Sequence, residues 1–125
     1  MTPAEREAFV SRPMTAVLST IGKGGRIHAV PVWYLWRDGT FLIGTDRGSQ
    51  KHLNAERTGR ATLSIVEGFK YLTAEGPVTA GPMTLEDRLA LHTHYRGAEA
   101  AAKSTADGHH ERMVMLLLRP ERWLG

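Results

Sequence analysis

Short runs of β-branched and apolar residues, each closed by glycine, proline or a charged residue, dominate this chain. Runs of this kind read as strands and the polar breaks between them as turns. "MTAVLST" is the first, closed by the turn "IGKGGR". "IHAVPVWYLW", from Ile27 to Trp36, follows, then the hairpin turn "RDG" and "TFLIGT". A helical segment from about Ser49 to Glu56 interrupts the series before "RATLSIVE", the turn "GFK" and "YLTAEGPVTA". "RMVMLLLRP" is apolar throughout, long enough for a buried strand and short for a helix that must end before Pro120.

Other segments carry helix signals. Thr2-Pro3-Ala4-Glu5 has the form of a capping box with proline at the first helical position, predicting a helix from about Thr2 to Val10 that Arg12-Pro13 closes. Thr84-Leu85-Glu86-Asp87 opens a second, reaching about Tyr95. Its apolar face is either Leu85, Leu89 and His92 or Leu89, Ala90 and Leu91. "RGAEAAAKSTADGHHE" reads as part alanine-rich helix and part loop. Six strands with short turns and few helices predict a mainly β, α+β chain: a six-stranded antiparallel β-barrel with peripheral helices, one domain over residues 1–125.

The run from Ile27 to Trp36 departs from a half-buried strand. Ile27, Ala29, Pro31, Trp33 and Leu35 point one way, and His28, Val30, Val32, Tyr34 and Trp36 the other. Both faces are largely apolar, so one lines the core and the second needs a cover: a helix, a partner subunit or a flat ligand. Pro31 cannot donate to a ladder, which places the stretch at an edge or a break.

Composition narrows the chemistry. A chain of 125 residues is too small to enclose a large cofactor comfortably alone, which favours a dimer if one is bound. The absence of cysteine excludes disulfides, thiolate metal sites and a cysteine nucleophile. "MTPAEREAF" is charged from the start and no apolar run approaches the roughly 18 residues of a membrane span, so a soluble, cytoplasmic protein is expected. Sixteen Lys and Arg against 13 Asp and Glu make the chain mildly basic. The charges form no stripe, so a local anion pocket is favoured over a nucleic-acid surface.

The segment "GTDRGSQKHLNAE", Gly44 to Glu56, concentrates candidate chemistry at a helix start. Ser49 there is either an ordinary N-cap or part of an anion site built on free backbone N–H groups. Thr45 and Ser49 supply hydroxyls, Lys51 a point charge, and Arg47 a planar fork for phosphate or carboxylate. Gln50 completes the first turn. "IGKGG" lacks the spacing and the Lys-Ser/Thr ending of a phosphate loop and reads as a hairpin turn. His92 and His94 are two apart, His109-His110 lies in a polar stretch, and no acidic residue completes a metal set, so these read as surface histidines. His28 lies on the two-faced strand, in packing or against a ligand. No serine sits in a G-x-S-x-G elbow. Trp33, Tyr34, Trp36, Phe69, Tyr71 and Trp123 read as packing aromatics, with base stacking as the alternative.

"AVLSTIGKGGRIHAVPVWYLWRDGTFLIGTDRGSQKHLNAERTGRATLSIVEG", followed by "YLTAEGPVT" and later by "LRPERW", resembles the split β-barrel flavin and deazaflavin oxidoreductases, the group similar to pyridoxamine 5′-phosphate oxidase. The resemblance runs from about Met14 to Trp123. It implies a homodimer with two cofactor sites at the subunit interface. By matching position, Val30, Pro31 and Val32 would lie against the tricyclic ring, and Thr45, Ser49, Gln50 and Lys51 would hold the phosphate end. Tyr71 and Trp123 would approach from the partner subunit.

"PVWY" and the short chain resemble the branch that uses coenzyme F420, a deazaflavin with a lactyl-oligoglutamate tail, whose carboxylates Arg47, Arg57 and Arg60 would meet. Gln50-Lys51 lacks the Arg-Lys pair of many FMN oxidases of this fold. The reading is therefore an oxidoreductase passing hydride from reduced F420 to an unidentified conjugated molecule, with no protein nucleophile. FMN is the alternative cofactor, in an oxidase or flavin reductase. A noncatalytic module, such as a deazaflavin carrier, haem binder or single-strand nucleic-acid binder, is the alternative of another class.

Overall fold

The computed structural model describes residues 1–125. The short apolar runs form strands, but eight of them rather than six. In chain order they are β1 (Ala16–Ile21), β2 (Ile27–Val32), β3 (Leu35–Arg37), β4 (Thr40–Asp46), β5 (Arg60–Glu67), β6 (Lys70–Pro82), β7 (Met113–Leu118) and β8 (Arg122–Leu124). Two features raise the count. The run expected as one strand from Ile27 to Trp36 breaks at Trp33-Tyr34, because Tyr34 turns its backbone N–H to the Tyr95 hydroxyl at 3.0 Å instead of a ladder. The last residues, too few to signal a strand by themselves, add β8 to the side of β6.

Four helices decorate the sheet: α1 (Pro3–Val10), α2 (Gln50–Thr58), α3 (Leu85–Arg96) and α4 (Ala98–Ser104). The capping box of α1 forms as expected, the Thr2 hydroxyl accepting from the Glu5 N–H and the Glu5 carboxylate from the Thr2 N–H, both at 3.1 Å. Residues 97–111 contain α4 and the start of a 3-10 turn at His109–Arg112. The face expected of α3 is corrected: Arg88 and Leu91 are its buried residues, while Leu85 and Leu89 are exposed.

All pairings are antiparallel, in the order β2-β1-β5-β6-β7-β4-β3, which ends at β2 and β3 without closing. β6 splits the sheet. Its first part, Lys70–Pro77, pairs with β5, and its second, Val78–Pro82, pairs with β7. At the changeover the chain leaving β7 crosses directly over Gly76, where a Cβ would lie 2.0 Å from the Arg119 carbonyl oxygen. Only glycine admits that approach.

The core lies between the two parts. Leu18, Ile43, Leu63, Ile65, Leu72, Leu116 and Leu118 are almost wholly buried with Tyr34 and Phe41. Each such aliphatic side chain contributes about 1.5–3 kcal/mol by leaving water. A smaller apolar layer of Leu42, Met83 and Met115 covers the outer side of β4 and β7. Buried Tyr34 donates its hydroxyl to the Arg12 carbonyl at 3.3 Å, and Tyr95 donates to the Met14 carbonyl at 2.6 Å. Burial pushes both phenols above their ordinary range, so both stay neutral donors.

The predicted split of faces on β2 holds. Val32 is buried and Val30 packs on the core, whereas Ile27, Ala29 and Pro31 are exposed. β2 pairs only with β1, so Pro31 does sit on an edge strand.

Candidate functional site

The turn between β4 and α2 is held open by its own hydrogen bonds. Gly48 takes φ 82°, a left-handed conformation suited to glycine. Its N–H donates to His52 Nδ1 at 2.9 Å, and the other ring nitrogen of His52 lies 2.6 Å from the Glu56 carboxylate. The Ser49 hydroxyl caps α2 by accepting the His52 N–H at 3.4 Å, and it meets the Thr45 hydroxyl at 2.9 Å. Ser49 is thus an N-cap, but capping does not consume the site. The N–H groups of Gln50 and Lys51, at the first two helical positions, have no carbonyl of α2 within reach and remain available to an anion.

The first turn of α2 separates two clefts. Gln50 lines one and Lys51 the other. The cleft on the Gln50 side measures about 690 Å³ and is bounded by Lys23 and Arg26 of the β1–β2 turn, His28 of β2, and Arg57 of α2. No carboxylate lines it. Gln50 is held along the helix by donating to Asn54 at 2.7 Å, and buried Asn54 donates to Thr20 at 3.1 Å. His28 Nδ1 is buried without a hydrogen-bond partner.

The cleft on the Lys51 side measures about 470 Å³. Pro31, Val32 and Gly44 form its sheet side, Trp33 and Met113 border it, and Leu91 and His92 bring in α3. Trp33 is fixed in place. It stacks on Tyr95 at 4.5 Å and 7° between planes, receives the Arg96 guanidinium at 5.2 Å, and meets His92 edge-on at 5.9 Å. His92 Nδ1 lies 2.7 Å from the Ser104 hydroxyl. Burial foremost, then the charges of Arg88 and Arg96, hold its pKa below the ordinary histidine value, with Asp107 opposing.

Of the residues expected in a cofactor site, the structure brings together Thr45, Ser49, Gln50 and Lys51 at the helix start, with Pro31 and Val32 beside Lys51. Val30 faces the core instead. Arg47 donates to the Glu111 carbonyl at 3.2 Å, tying the turn to the 3-10 segment. Arg57 donates to the Ile21 carbonyl and borders the basic cleft. Arg60 is occupied by Glu75 and Glu121 at 2.7 and 2.8 Å. Tyr71 and Trp123 line neither cleft of their own chain. Tyr71 is half exposed beside Phe69, and Trp123 packs near Trp36, Phe41 and the Arg6 guanidinium.

Four residues lay outside the sequence reading. Lys23 and Arg26 sit in a turn recognised for its glycines, not for what its cations face. His52 organises the helix start from one turn within α2. His92 is half-buried, with Ser104 and Trp33 against its ring. The spacing of Gln50, Leu53, Asn54 and Arg57, at i, i+3, i+4 and i+7, is the signal that could have found the basic cleft, because it defines one helix face.

The antiparallel split sheet thus carries a helix start with free N–H groups between a basic and an apolar cleft. The chain belongs to the pyridoxamine 5′-phosphate oxidase family, whose profile matches residues 2–124. Over 71 residues it is 38% identical to an F420-dependent biliverdin reductase of Mycobacterium tuberculosis (strain CDC 1551 / Oshkosh), covering 55% of this chain. That match spans about half of the relative, 52% of its length. Among solved structures, a conserved hypothetical protein from Mycobacterium tuberculosis superposes with a TM-score of 0.85 at 26% identity, covering 98% of this chain and 82% of the other. An F420 reductase superposes at 0.78 with 20% identity, covering 94% of each chain; at that identity it speaks for the fold alone.

Proposed function

We propose that the protein is an F420-dependent oxidoreductase, acting on a conjugated small molecule. The observation that carries the reading is the pair of clefts flanking one helix start. An apolar cleft beside Lys51 suits a flat ring, and a basic cleft beside Gln50 suits a polyanionic tail. The F420-dependent biliverdin reductase that shares 38% identity over part of the chain supports the same class. FMN ends at its phosphate and leaves the basic cleft without an occupant, so the deazaflavin is preferred.

The residues present fit that cofactor. The N–H groups of Gln50 and Lys51, the Lys51 ammonium and the Thr45 and Ser49 hydroxyls form a donor set for the phosphate. Lys23, Arg26 and Arg57 meet tail carboxylates, a role that Arg60 cannot share while it is bound to Glu75 and Glu121. Pro31, Val32 and Trp33 offer the apolar cleft's surface to the flat ring. When bound in reduced form, the cofactor supplies a hydride; no side chain is required as nucleophile.

The reading includes a homodimer. Val17, Ile27, Ala29 and Pro31 leave an apolar edge uncovered, and Val66, Phe69 and Tyr71 leave another. A partner over these surfaces would supply Tyr71 and Trp123 from the second chain.

The test is a fluorescence titration of the cofactor-free protein with F420 and, separately, with FMN. Saturable micromolar binding of F420, with FMN much weaker, is the expected result. Tighter binding of FMN, or binding of neither, overturns the assignment.

A further inference from the structure

His52 grips the turn leading into α2 at two consecutive residues. Its backbone N–H reaches the Ser49 hydroxyl at 3.4 Å, and its ring accepts the Gly48 N–H on Nδ1 at 2.9 Å. The residue is buried, 7% exposed. The groups assigned to the phosphate come from both sides of this grip, Thr45 before it and Ser49, Gln50 and Lys51 after it, with the Thr45 and Ser49 hydroxyls 2.9 Å apart. The grip therefore fixes how the two halves of the donor set stand to each other.

The partners of the ring settle where its proton lies. A backbone N–H can only donate, so Nδ1 accepts and carries no hydrogen. The neutral ring then has its proton on Nε2, and the Glu56 carboxylate accepts it at 2.6 Å. A second proton would have to sit on Nδ1. It would face the Gly48 N–H, and that bond would be lost.

Glu56 is the charged partner of the ring. On the same helix and in the turn, Lys51 lines the apolar cleft, Arg57 the basic one, and Arg47 is tied to the Glu111 carbonyl. The strands packed on α2 are β1, β4, β6 and β7. β1 and β7 carry no titratable side chain, β4 carries Asp46, paired with His109, and β6 carries Lys70, Tyr71 and Glu75, the last paired with Arg60.

We propose that His52 is a positioning residue for the phosphate site, competent only as the neutral ring, and that a proton on Nδ1 loosens the site. This rests on the phosphate site of the deazaflavin reading. The expected sign is opposite to that of charge alone. A cation gained beside an anion site should tighten binding, whereas loss of the Gly48 bond weakens it.

Two measurements on the full chain test the role. In protein labelled with 15N-histidine, His52 should show a bare Nδ1 and a protonated Nε2 at about pH 8, and the same spectra follow the arrival of the second proton as the pH is lowered to about 5. F420 affinity, measured over the same interval, should fall as that proton arrives, at least fivefold more in the parent than in His52→Asn. Asparagine places an amide oxygen where Nδ1 lies and does not titrate, so the comparison cancels the ionisation of the ligand and of other histidines. At about pH 8, His52→Asn should bind F420 within about threefold of the parent, and His52→Leu, which has no acceptor, about tenfold more weakly. The deazaflavin ring lacking phosphate and tail should bind His52→Leu as it binds the parent. Should His52→Leu fail to fold, the comparison with His52→Asn decides. A proton on Nδ1 at about pH 8, a ring that stays neutral down to about pH 5, matching pH profiles in the parent and His52→Asn, or F420 affinity that rises with protonation would overturn the role of His52 while leaving F420 binding intact. So would equal losses of F420 and of the bare ring in His52→Leu. Failure of the unsubstituted protein to bind F420 overturns the cofactor reading and, with it, this role.

Discussion

The two clefts beside α2 differ in every respect but their shared boundary. One gathers Lys23, Arg26, Arg57 and His28 with no carboxylate, and the other is walled by Pro31, Val32, Trp33, Leu91 and Met113. The basic one joins only two segments, the β1–β2 turn with the start of β2 and one face of a short helix. The apolar one draws on β2, β4, β7, α2 and α3, which are far apart in the chain. The contrast teaches how a small domain accommodates an amphiphilic ligand. On the proposed reading, a single helix start would serve the phosphate, and the chain on either side would serve what precedes and follows it.

The largest expected effect falls on the boundary. Lys51→Ala should weaken F420 binding by about 1.5–3 kcal/mol, a charge-assisted hydrogen bond, roughly ten- to hundredfold in Kd. FMN binding should fall as well, because the phosphate is common to both. A fold-preserving Lys51→Ala protein with unchanged affinity would reduce the helix start to a cap.

Next in size, Arg57→Ala should separate the clefts, weakening F420 by about three- to tenfold at low salt while FMN affinity stays level. The loss should shrink as ionic strength rises, since exposed charges are screened. Equal losses for both ligands would show that Arg57 acts on the shared phosphate instead.

A smaller effect concerns the wall of the apolar cleft. Asp107 lies below its ordinary value of 3.8, chiefly through its contact with Arg88 at 2.5 Å and secondarily through the His109 backbone N–H. A depressed carboxyl stabilises the fold above its unfolded pKa. That stabilisation is lost as pH falls through the folded value. The parent protein should therefore lose stability below about pH 4 more steeply than Asp107→Asn, as read by denaturant midpoints against pH. Parallel curves would remove Asp107 from the anchoring of α3 and α4.

The smallest effect is expected at Lys103, whose ammonium lies 3.9 Å from Glu99 with both side chains mostly exposed. Lys103→Ala should leave both ligands and stability within error.

What could be read from the sequence follows the same divide. Strands announced by β-branched runs, the capping box at Thr2 and the alternating faces of β2 are local patterns, and they appear where expected. The break at Trp33-Tyr34 was hidden, since it depends on Tyr95 reaching across from α3. β8 was hidden too, because three residues carry no period. The helix start at Ser49 was legible as a cap, and the cap forms. Its setting between two clefts was not, because that setting is made by partners remote in sequence. His92 shows the same limit: its half-buried ring meets Ser104 and Trp33, not its neighbours in the chain.

The claim that one ligand spans both clefts is tested most directly by comparing F420 with the same deazaflavin ring lacking phosphate and tail. Affinities for the two are measured at low and at high salt. The account predicts that F420 binds at least tenfold more tightly at low salt and that the gap narrows markedly at high salt. Equal affinities at both would contradict it, leaving the basic cleft and the helix start without a part in cofactor binding.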